Sequence, residues 1–244
     1  YAMAPFVTLR CLEQHKCSTG IMKLPVCTIV AGIGLGYADA GPTHYATEDL
    51  SCLNSLINSN VSTASDPLVA KYLGQNFIEN PSYSFIRLDR HPTPIIDPKF
   101  EYLSIKKGYR PIESKGDICV ISHGGILNNV IAARQFTEKS FAICDLFRTK
   151  PVSHDFIEFI SSYKTLVTVD EQSTGGLSSI LLESLNEHKI LKNIINLKLP
   201  EKYFFENGGR DYLLDKSNLS PEKIAQELNK IKYHIKNIFF KKII

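Results

Sequence analysis

Residues 26–56 read VCTIVAGIGLGYADAGPTHYATEDLSCLNSL, and the fold prediction rests on this stretch. Residues 26–30 are β-prone and predict a buried strand, which ends in three glycines at alternate positions. A turn at Gly41-Pro42 then leads to His44 at the predicted start of a helix. We therefore expect this imidazole between the carboxyl end of a strand and the amino end of a helix, where open α/β sheets bind their ligands.

The helix predicted to begin beside His44 has one apolar face. Ala46, Leu50, Leu53 and Ile57 follow at i, i+4, i+7 and i+11, which is helical spacing. We expect this face to pack on the sheet.

Composition restricts the function classes. The 244 residues are 43% hydrophobic and 22% charged, which is ordinary for a globular protein of one large domain or two smaller ones. A net charge of +3 is too small to predict nucleic-acid binding. No apolar run reaches the length of about 18 residues needed for a membrane span, and the first residues do not resemble a secretion signal. Six scattered cysteines without CxxC pairing predict reduced thiols in a cytoplasmic protein.

The rest of the chain alternates between strand and helix patterns, which favours parallel sheets covered by helices. Asp66 is the expected N-cap of one helix. A proline-rich connector is expected over residues 91–116, with a short strand or two around 102–109. A last helix is predicted from Pro221, with Ile224, Leu228, Ile231 and Ile235 on one stripe. The other helices are predicted over 5–19, 67–77, 126–134, 153–161 and 177–186, and the other strands over 60–64, 83–88, 117–122, 140–147, 166–169 and 194–199.

Five segments carry a family resemblance. They occur in the order GPTHYATEDLS, GDICVISHGG, LFRTKPVSHDF, LVTVDEQSTGGLSSILLESL and LPEKYF. This series resembles transketolases and 1-deoxyxylulose-5-phosphate synthases, from their pyrimidine-binding domain to their C-terminal domain. The resemblance implies an α/β fold of two stacked domains, each a largely parallel sheet flanked by helices. It predicts a pyrimidine-binding domain, N-terminally incomplete, over residues 1–95, a linker over 96–115 and a transketolase C-terminal-like domain over 116–244.

The resemblance also implies roles for site residues. His44 matches a histidine that contacts substrate hydroxyls and moves protons, although a structural histidine is the alternative. Phe6 or Val7 corresponds to an aromatic residue that stacks on the aminopyrimidine ring of thiamine diphosphate, and core packing is the alternative for Phe6. Arg90 ends a strand where the family binds a substrate phosphate, and Arg87, earlier in that strand, is expected on the same side. The alternative for Arg90 is an exposed loop arginine.

Two family features are missing from the sequence. The GDG…N motif that holds Mg²⁺ is absent, so we predict no metal ligand in this chain. The family also has a glutamate upstream of the first helix, whereas Glu13 is the first glutamate here. We therefore expect a split subunit or a fragment whose thiamine diphosphate and Mg²⁺ are held by a partner chain with the diphosphate-binding domain, in a dimer or another homo- or hetero-oligomer.

The implied activity is transfer of a two-carbon ketol unit between sugars. Ala40 stands where the family has a substrate-binding aspartate, and Gly32 where transketolases have a phosphate-binding histidine, so we expect an unusual sugar. The alternatives are a non-catalytic interaction or regulatory fragment, a deoxyxylulose phosphate synthase-like subunit, or a 2-oxoacid dehydrogenase E1 beta-like subunit. Nucleotide binding by the glycine run is rejected, because Tyr37 occupies the place of the third glycine of GxGxxG.

Overall fold

Two five-stranded sheets organise the computed structural model, which describes residues 1–231. The strands are β1 (Ala2–Met3), β2 (Cys27–Ala31), β3 (Asn60–Thr63), β4 (Ser84–Leu88), β5 (Arg110–Glu113), β6 (Ile118–Ser122), β7 (Ala142–Asp145), β8 (Arg148–Lys150), β9 (Thr165–Val169) and β10 (Asn193–Leu197). The helices are α1 (Ala4–Val7), α2 (Leu12–Gln14), α3 (Asp49–Asn54), α4 (Pro67–Glu79), α5 (Leu127–Ala132), α6 (His154–Ser161), α7 (Leu177–Glu187), α8 (Gly209–Lys216) and α9 (Pro221–Lys230).

The first sheet has the order β1-β2-β4-β3-β8 and the second the order β10-β9-β6-β7-β5. Pairing is parallel except for β8 and β5, the antiparallel edge strands. The predicted fold class, two largely parallel sheets flanked by helices, is confirmed.

The two halves of the chain are joined through both sheets. Strand β8 comes from the second half but completes the first sheet. Leu35, Ala38 and Tyr45 of the first half are buried in a core cluster otherwise formed by residues of the second half. Strand β5 lies inside the predicted linker 96–115 and pairs with β7. The division into 1–95, 96–115 and 116–244 stays a prediction.

The prediction of one helix over residues 5–19 is wrong in detail. The segment contains α1, a 3₁₀ turn at Leu9–Cys11, α2 and a π-helical turn at His15–Gly20. Thr8 interrupts the helix, with φ −103° and ψ −84°, while its hydroxyl donates to the Ala4 carbonyl. This side-chain bond competes with regular helical geometry.

The helix predicted to begin beside His44 instead begins at Asp49. Ala46 is extended and forms an isolated antiparallel bridge with Gly34, so this pairing replaces the first helical turn. Leu50 and Leu53 are buried as expected, but Ile57 lies beyond the helix and is 77% exposed. His44 therefore lies in a loop rather than at a helix terminus.

The connector also differs from the prediction. Residues Tyr102–Lys107 form a 3₁₀ helix where a strand was expected, and the strand comes later, at β5. Helix α8 was not predicted, whereas the Asp66 N-cap is confirmed, since its Oδ1 accepts the Val69 amide at 2.9 Å. In α9, Ile224 and Leu228 are buried as expected.

Ile231 packs against the same core, whereas Ile235 lies outside the described residues. Within residues 1–231, no helix is both long and apolar enough to cross a bilayer.

Candidate functional site

The glycine run after β2 lies beside the carboxyl end of β4. The Gly32 amide donates to the Leu88 carbonyl at 2.9 Å, which joins the two strand ends. Gly32 has φ +78°, and a Cβ there would lie 2.0 Å from the Tyr37 ring. A glycine is therefore required for Tyr37 to fold back over this strand end.

His44 lies in the loop that follows. Its amide donates to the Gly41 carbonyl at 3.0 Å, and its Nδ1 lies 2.9 Å from the Thr43 hydroxyl. Its ring meets Phe6 edge-on at 5.1 Å between centroids and lies 6.5 Å from Tyr37. Within residues 1–231 the Nε2 atom forms no hydrogen bond, so it is available to a ligand.

Phe6 and Val7 have different surroundings. Phe6 is half-buried, and the exposed Arg10 guanidinium lies 4.0 Å from its ring centroid. Val7 packs against the core cluster of the first sheet, and its carbonyl oxygen lies 2.6 Å from His15 Nε2. Phe6 therefore carries a ring that can stack on a planar group, whereas Val7 belongs to the core.

Arg90 follows β4 and lies over the Tyr37 ring, 4.5 Å from its centroid. Its guanidinium also forms an ion pair with Asp39, at the exposed end of the same loop. The hydrogen bond from Arg90 lowers the pKa of the Asp39 carboxyl below its ordinary value. The Arg90 side chain is 34% exposed, so an anion from solvent can compete with Asp39 for it.

Arg87 does not lie beside Phe6, His44 and Arg90. Its position argues against the substrate role predicted for it. Its side chain is 1% exposed and forms a bidentate pair with Asp49, with both N–O distances 2.8 Å. Its Nη1 donates to the Thr63 hydroxyl at 2.7 Å. Strand β4 ends at Leu88, so Arg90 lies in the bend that follows and its side chain is not fixed to the strand face of Arg87.

We call the side chains Phe6, Tyr37, His44, Arg10 and Arg90 the aromatic surface. Three of the five predicted site residues contribute to it, namely Phe6, His44 and Arg90. Sequence reasoning gave no role to Tyr37 or Arg10. Tyr37 could have been found from its position directly after the glycine run.

A second group of residues joins the halves, and we call it the interdomain network: Asp49, Arg87, Glu171, Gln172 and Arg210. Gln172 Oε1 accepts the Leu50 amide at 3.1 Å, and its Nε2 donates to Asp49 at 2.9 Å. The Glu171 carboxylate accepts a hydrogen bond from the Leu35 amide at 3.0 Å. It also forms an ion pair with Arg210.

The paired glycines Gly175 and Gly176 allow the close approach on which the network depends. Gly175 has φ +62°, and a Cβ there would lie 2.3 Å from the Ser51 Cβ in α3. We therefore interpret this glycine pair as serving packing rather than chemistry.

The described residues do not fit Mg²⁺, because no group of three His, Cys, Asp or Glu side chains in residues 1–231 could hold a metal ion. They do offer a place for a planar aromatic ring. Arg10 is exposed, so a ring can replace it on Phe6 without leaving a buried unpaired charge.

Comparison with known proteins finds similarity to transketolases and related synthases. Residues 108–224 match the family model of the transketolase C-terminal domain. The 1-deoxy-D-xylulose-5-phosphate synthase of Vibrio campbellii is 26% identical over 220 residues, which are 89% of this chain and 35% of that protein. The synthase of Dictyoglomus turgidum is 28% identical over 233 residues, 93% of this chain and 37% of that protein.

A solved structure described as "Split gene transketolase, inactive beta4 tetramer" has the same fold. It superposes with a TM-score of 0.78 at 22% identity, covering 93% of this chain and 73% of that one. A Pichia stipitis transketolase mutant, R525L, gives 0.73 at 16% identity, covering 94% of this chain and 33% of that one. The present chain spans about a third of the length of the curated relatives named above.

The fold and the aromatic surface define an α/β protein of two largely parallel sheets with a candidate ligand site at the carboxyl edge of the first sheet. Residues 108–224 are similar to the transketolase C-terminal domain, and the whole chain resembles transketolases and 1-deoxyxylulose-5-phosphate synthases.

Proposed function

We propose that this chain supplies the pyrimidine-binding side of the active site in a transketolase-type enzyme, which transfers a two-carbon ketol unit between sugars. The observation that carries the proposal is the meeting of Phe6, His44 and Arg90. They come from three separate segments, and contacts through Tyr37 connect them at one strand edge.

Each residue has a distinct part. Thiamine diphosphate, when bound, supplies the electron sink for cleaving the carbon–carbon bond of a ketose. Phe6 offers its ring to the aminopyrimidine, while His44 Nε2 exchanges a proton with a substrate hydroxyl. Arg90 binds the substrate phosphate once Asp39 is displaced.

The diphosphate and Mg²⁺ are assigned to a partner chain with the diphosphate-binding domain, in a homo- or hetero-oligomer. One comparison supports this assignment. A fold relative is itself described as a split-gene transketolase.

The test reconstitutes this chain with a diphosphate-binding half and assays two-carbon transfer from several ketose phosphates, xylulose 5-phosphate among them. We expect transfer, with xylulose 5-phosphate a poor donor. His44→Ala should lower kcat roughly 100-fold or more, because a positioned acid–base group contributes that much. His154→Ala, an exposed histidine of α6, is the matched control. A bound pair that transfers nothing from any donor contradicts the proposal.

Synthesis of 1-deoxyxylulose 5-phosphate is a second candidate function. It is favoured by the curated relatives, which are named as synthases of that product at 26–28% identity. The same reconstituted pair, assayed for this product, separates the two activities. Formation of the product without ketol transfer would replace the first candidate by the second.

A further inference from the structure

A cavity of about 530 Å³ lies at the amino ends of β3 and β4, beneath α4. These strand ends are opposite the carboxyl edge that holds the aromatic surface. The four residue steps from Ser84 to Leu88 separate the two edges by about 13 Å. The cavity is therefore a separate place in the fold, and its size is within the range of small-molecule sites.

The cavity wall combines polar and apolar side chains in similar number. Its polar side chains are three asparagines and three serines, Asn60, Asn76, Asn80, Ser62, Ser82 and Ser84. Ser62 and Ser84 are buried, and Asn60 Nδ2 donates to the Ser82 hydroxyl at 3.0 Å. Buried hydroxyls and amides require hydrogen-bond partners, so this wall suits a hydroxylated ligand better than an apolar one.

Arg148 is the single charged residue of the cavity wall in the described part of the chain. It lies opposite Ser62 in the β3–β8 pairing, which places both side chains on the same sheet face. Its Nη2 donates to the Lys106 carbonyl at 2.6 Å, while its Nη1 forms no hydrogen bond with the described residues. An anion in the cavity would accept a charge-assisted hydrogen bond from this Nη1.

One further observation agrees with an anionic ligand. Burial lowers the pKa of the Arg148 guanidinium below its ordinary value, since the low-dielectric surroundings penalise the uncompensated charge. Gly108, with φ +81°, lets the backbone pack against that guanidinium, because a Cβ there would lie 2.9 Å from Arg148 Nε.

We propose that this cavity is a second binding site for a small polyol carrying one anionic group, phosphate or carboxylate. Arg148 binds the anion, while the asparagine and serine side chains bind the hydroxyls. The site is independent of the proposed ketol transfer.

Calorimetric titration of the full chain with glycerol 3-phosphate tests the proposal. Glycerate replaces the phosphate by a carboxylate, and glycerol removes the charge. We expect saturable binding of at least one anion with a Kd of roughly 1 mM or lower, and much weaker binding of glycerol. Saturation by neither anion, or equal binding of glycerol, would overturn the proposal.

Variants then locate the ligand. Arg148→Gln should weaken binding roughly tenfold or more by removing the charge. If that variant fails to fold, Asn76→Leu, at a half-buried position of α4, serves instead and should also weaken binding. Lys164→Gln, at a cation that is 75% exposed and outside both sites, is the control and should leave the affinity unchanged. Binding that survives the changes in the cavity, or that is lost with Lys164→Gln, would place the anion elsewhere and refute the proposal.

Discussion

Arg87 and Arg90 leave the same strand end but belong to regions of different construction. In the interdomain network, Arg87 is buried and paired with a buried carboxylate at two points. On the aromatic surface, Arg90 is partly exposed, stacks on Tyr37 and pairs with the exposed Asp39. The comparison teaches that burial, rather than residue type, separates a structural arginine from one that a ligand can reach.

The largest effect should come from breaking the buried pair. Asp49→Ala leaves the Arg87 charge buried and removes one of the acceptors of Gln172 Nε2. We expect the free energy of unfolding to fall by about 3 to 5 kcal/mol, the usual cost of an uncompensated buried charge. Urea denaturation measures it. Asp39→Asn, at the exposed pair, is the matched control, and equal losses in both variants would contradict the comparison.

A smaller loss is expected at the close contact between the halves. Gly175→Ala combines a positive φ with an approach of 2.3 Å to the Ser51 Cβ. Backbone strain and overpacking together should lower the free energy of unfolding by about 2 to 3 kcal/mol. Thermal unfolding measures this loss.

The control for this variant is Gly74→Ala, in the middle of α4, where an added Cβ meets nothing within 4 Å. It should stabilise the protein by about 0.5 to 1 kcal/mol, because alanine is the better helix former. If Gly175→Ala left the free energy of unfolding unchanged, the halves would approach each other less closely at Ser51 than the structure shows.

The buried carboxyl of Asp170 makes the stability of the protein depend on pH. Burial raises the pKa of the Asp170 carboxyl to about 6, while its Oδ2 accepts the Leu177 amide at 2.6 Å. The unfolded pKa is about 3.9, so between about pH 4 and 6 the folded state holds a proton that the unfolded state has lost. Asp170 therefore contributes a loss of stability as the pH rises through this window.

Asp170→Asn tests this assignment, since the amide oxygen can still accept the Leu177 amide. The free energies of unfolding of both proteins are measured at pH 5 and pH 7. The decrease on going to pH 7 should be smaller in the variant by about 1 kcal/mol. Identical decreases in the two proteins would show that the carboxylate is charged throughout.

The smallest effect is expected on the exposed side. Asp39→Asn removes the charge that competes with a substrate anion for Arg90. In the reconstituted enzyme we expect KM for a sugar phosphate to fall roughly twofold to fivefold, with kcat unchanged. A higher KM would mean that Asp39 holds Arg90 in its productive position.

Much of the sheet framework was predictable because its strands are continuous apolar runs. Strands β2, β4, β6 and β9 all lie within or close to predicted segments. The short strand β8 was missed, because three residues of mixed polarity show no periodicity in the sequence. They form a strand because they pair with β3. The start of α3 was misplaced because the Gly34–Ala46 bridge depends on a contact between loops.

The site was predictable only in part. The glycine-rich turn and the GPTH segment indicated His44, and the resemblance added Phe6 and Arg90. Whether an arginine is buried depends on partners distant in sequence, and Asp49 is 38 residues from Arg87. No local pattern could therefore separate Arg87 from Arg90.

Cofactor binding tests the central claim most directly, that the aromatic surface is one side of a site which another chain completes. Thiamine diphosphate with Mg²⁺ is titrated calorimetrically into the chain alone, into its complex with a diphosphate-binding half, and into that complex carrying Phe6→Ala. We predict no tight binding by the chain alone, binding by the complex, and roughly tenfold weaker binding after Phe6→Ala because ring stacking is lost. Micromolar binding by the isolated chain, or a complex indifferent to Phe6→Ala, would contradict it.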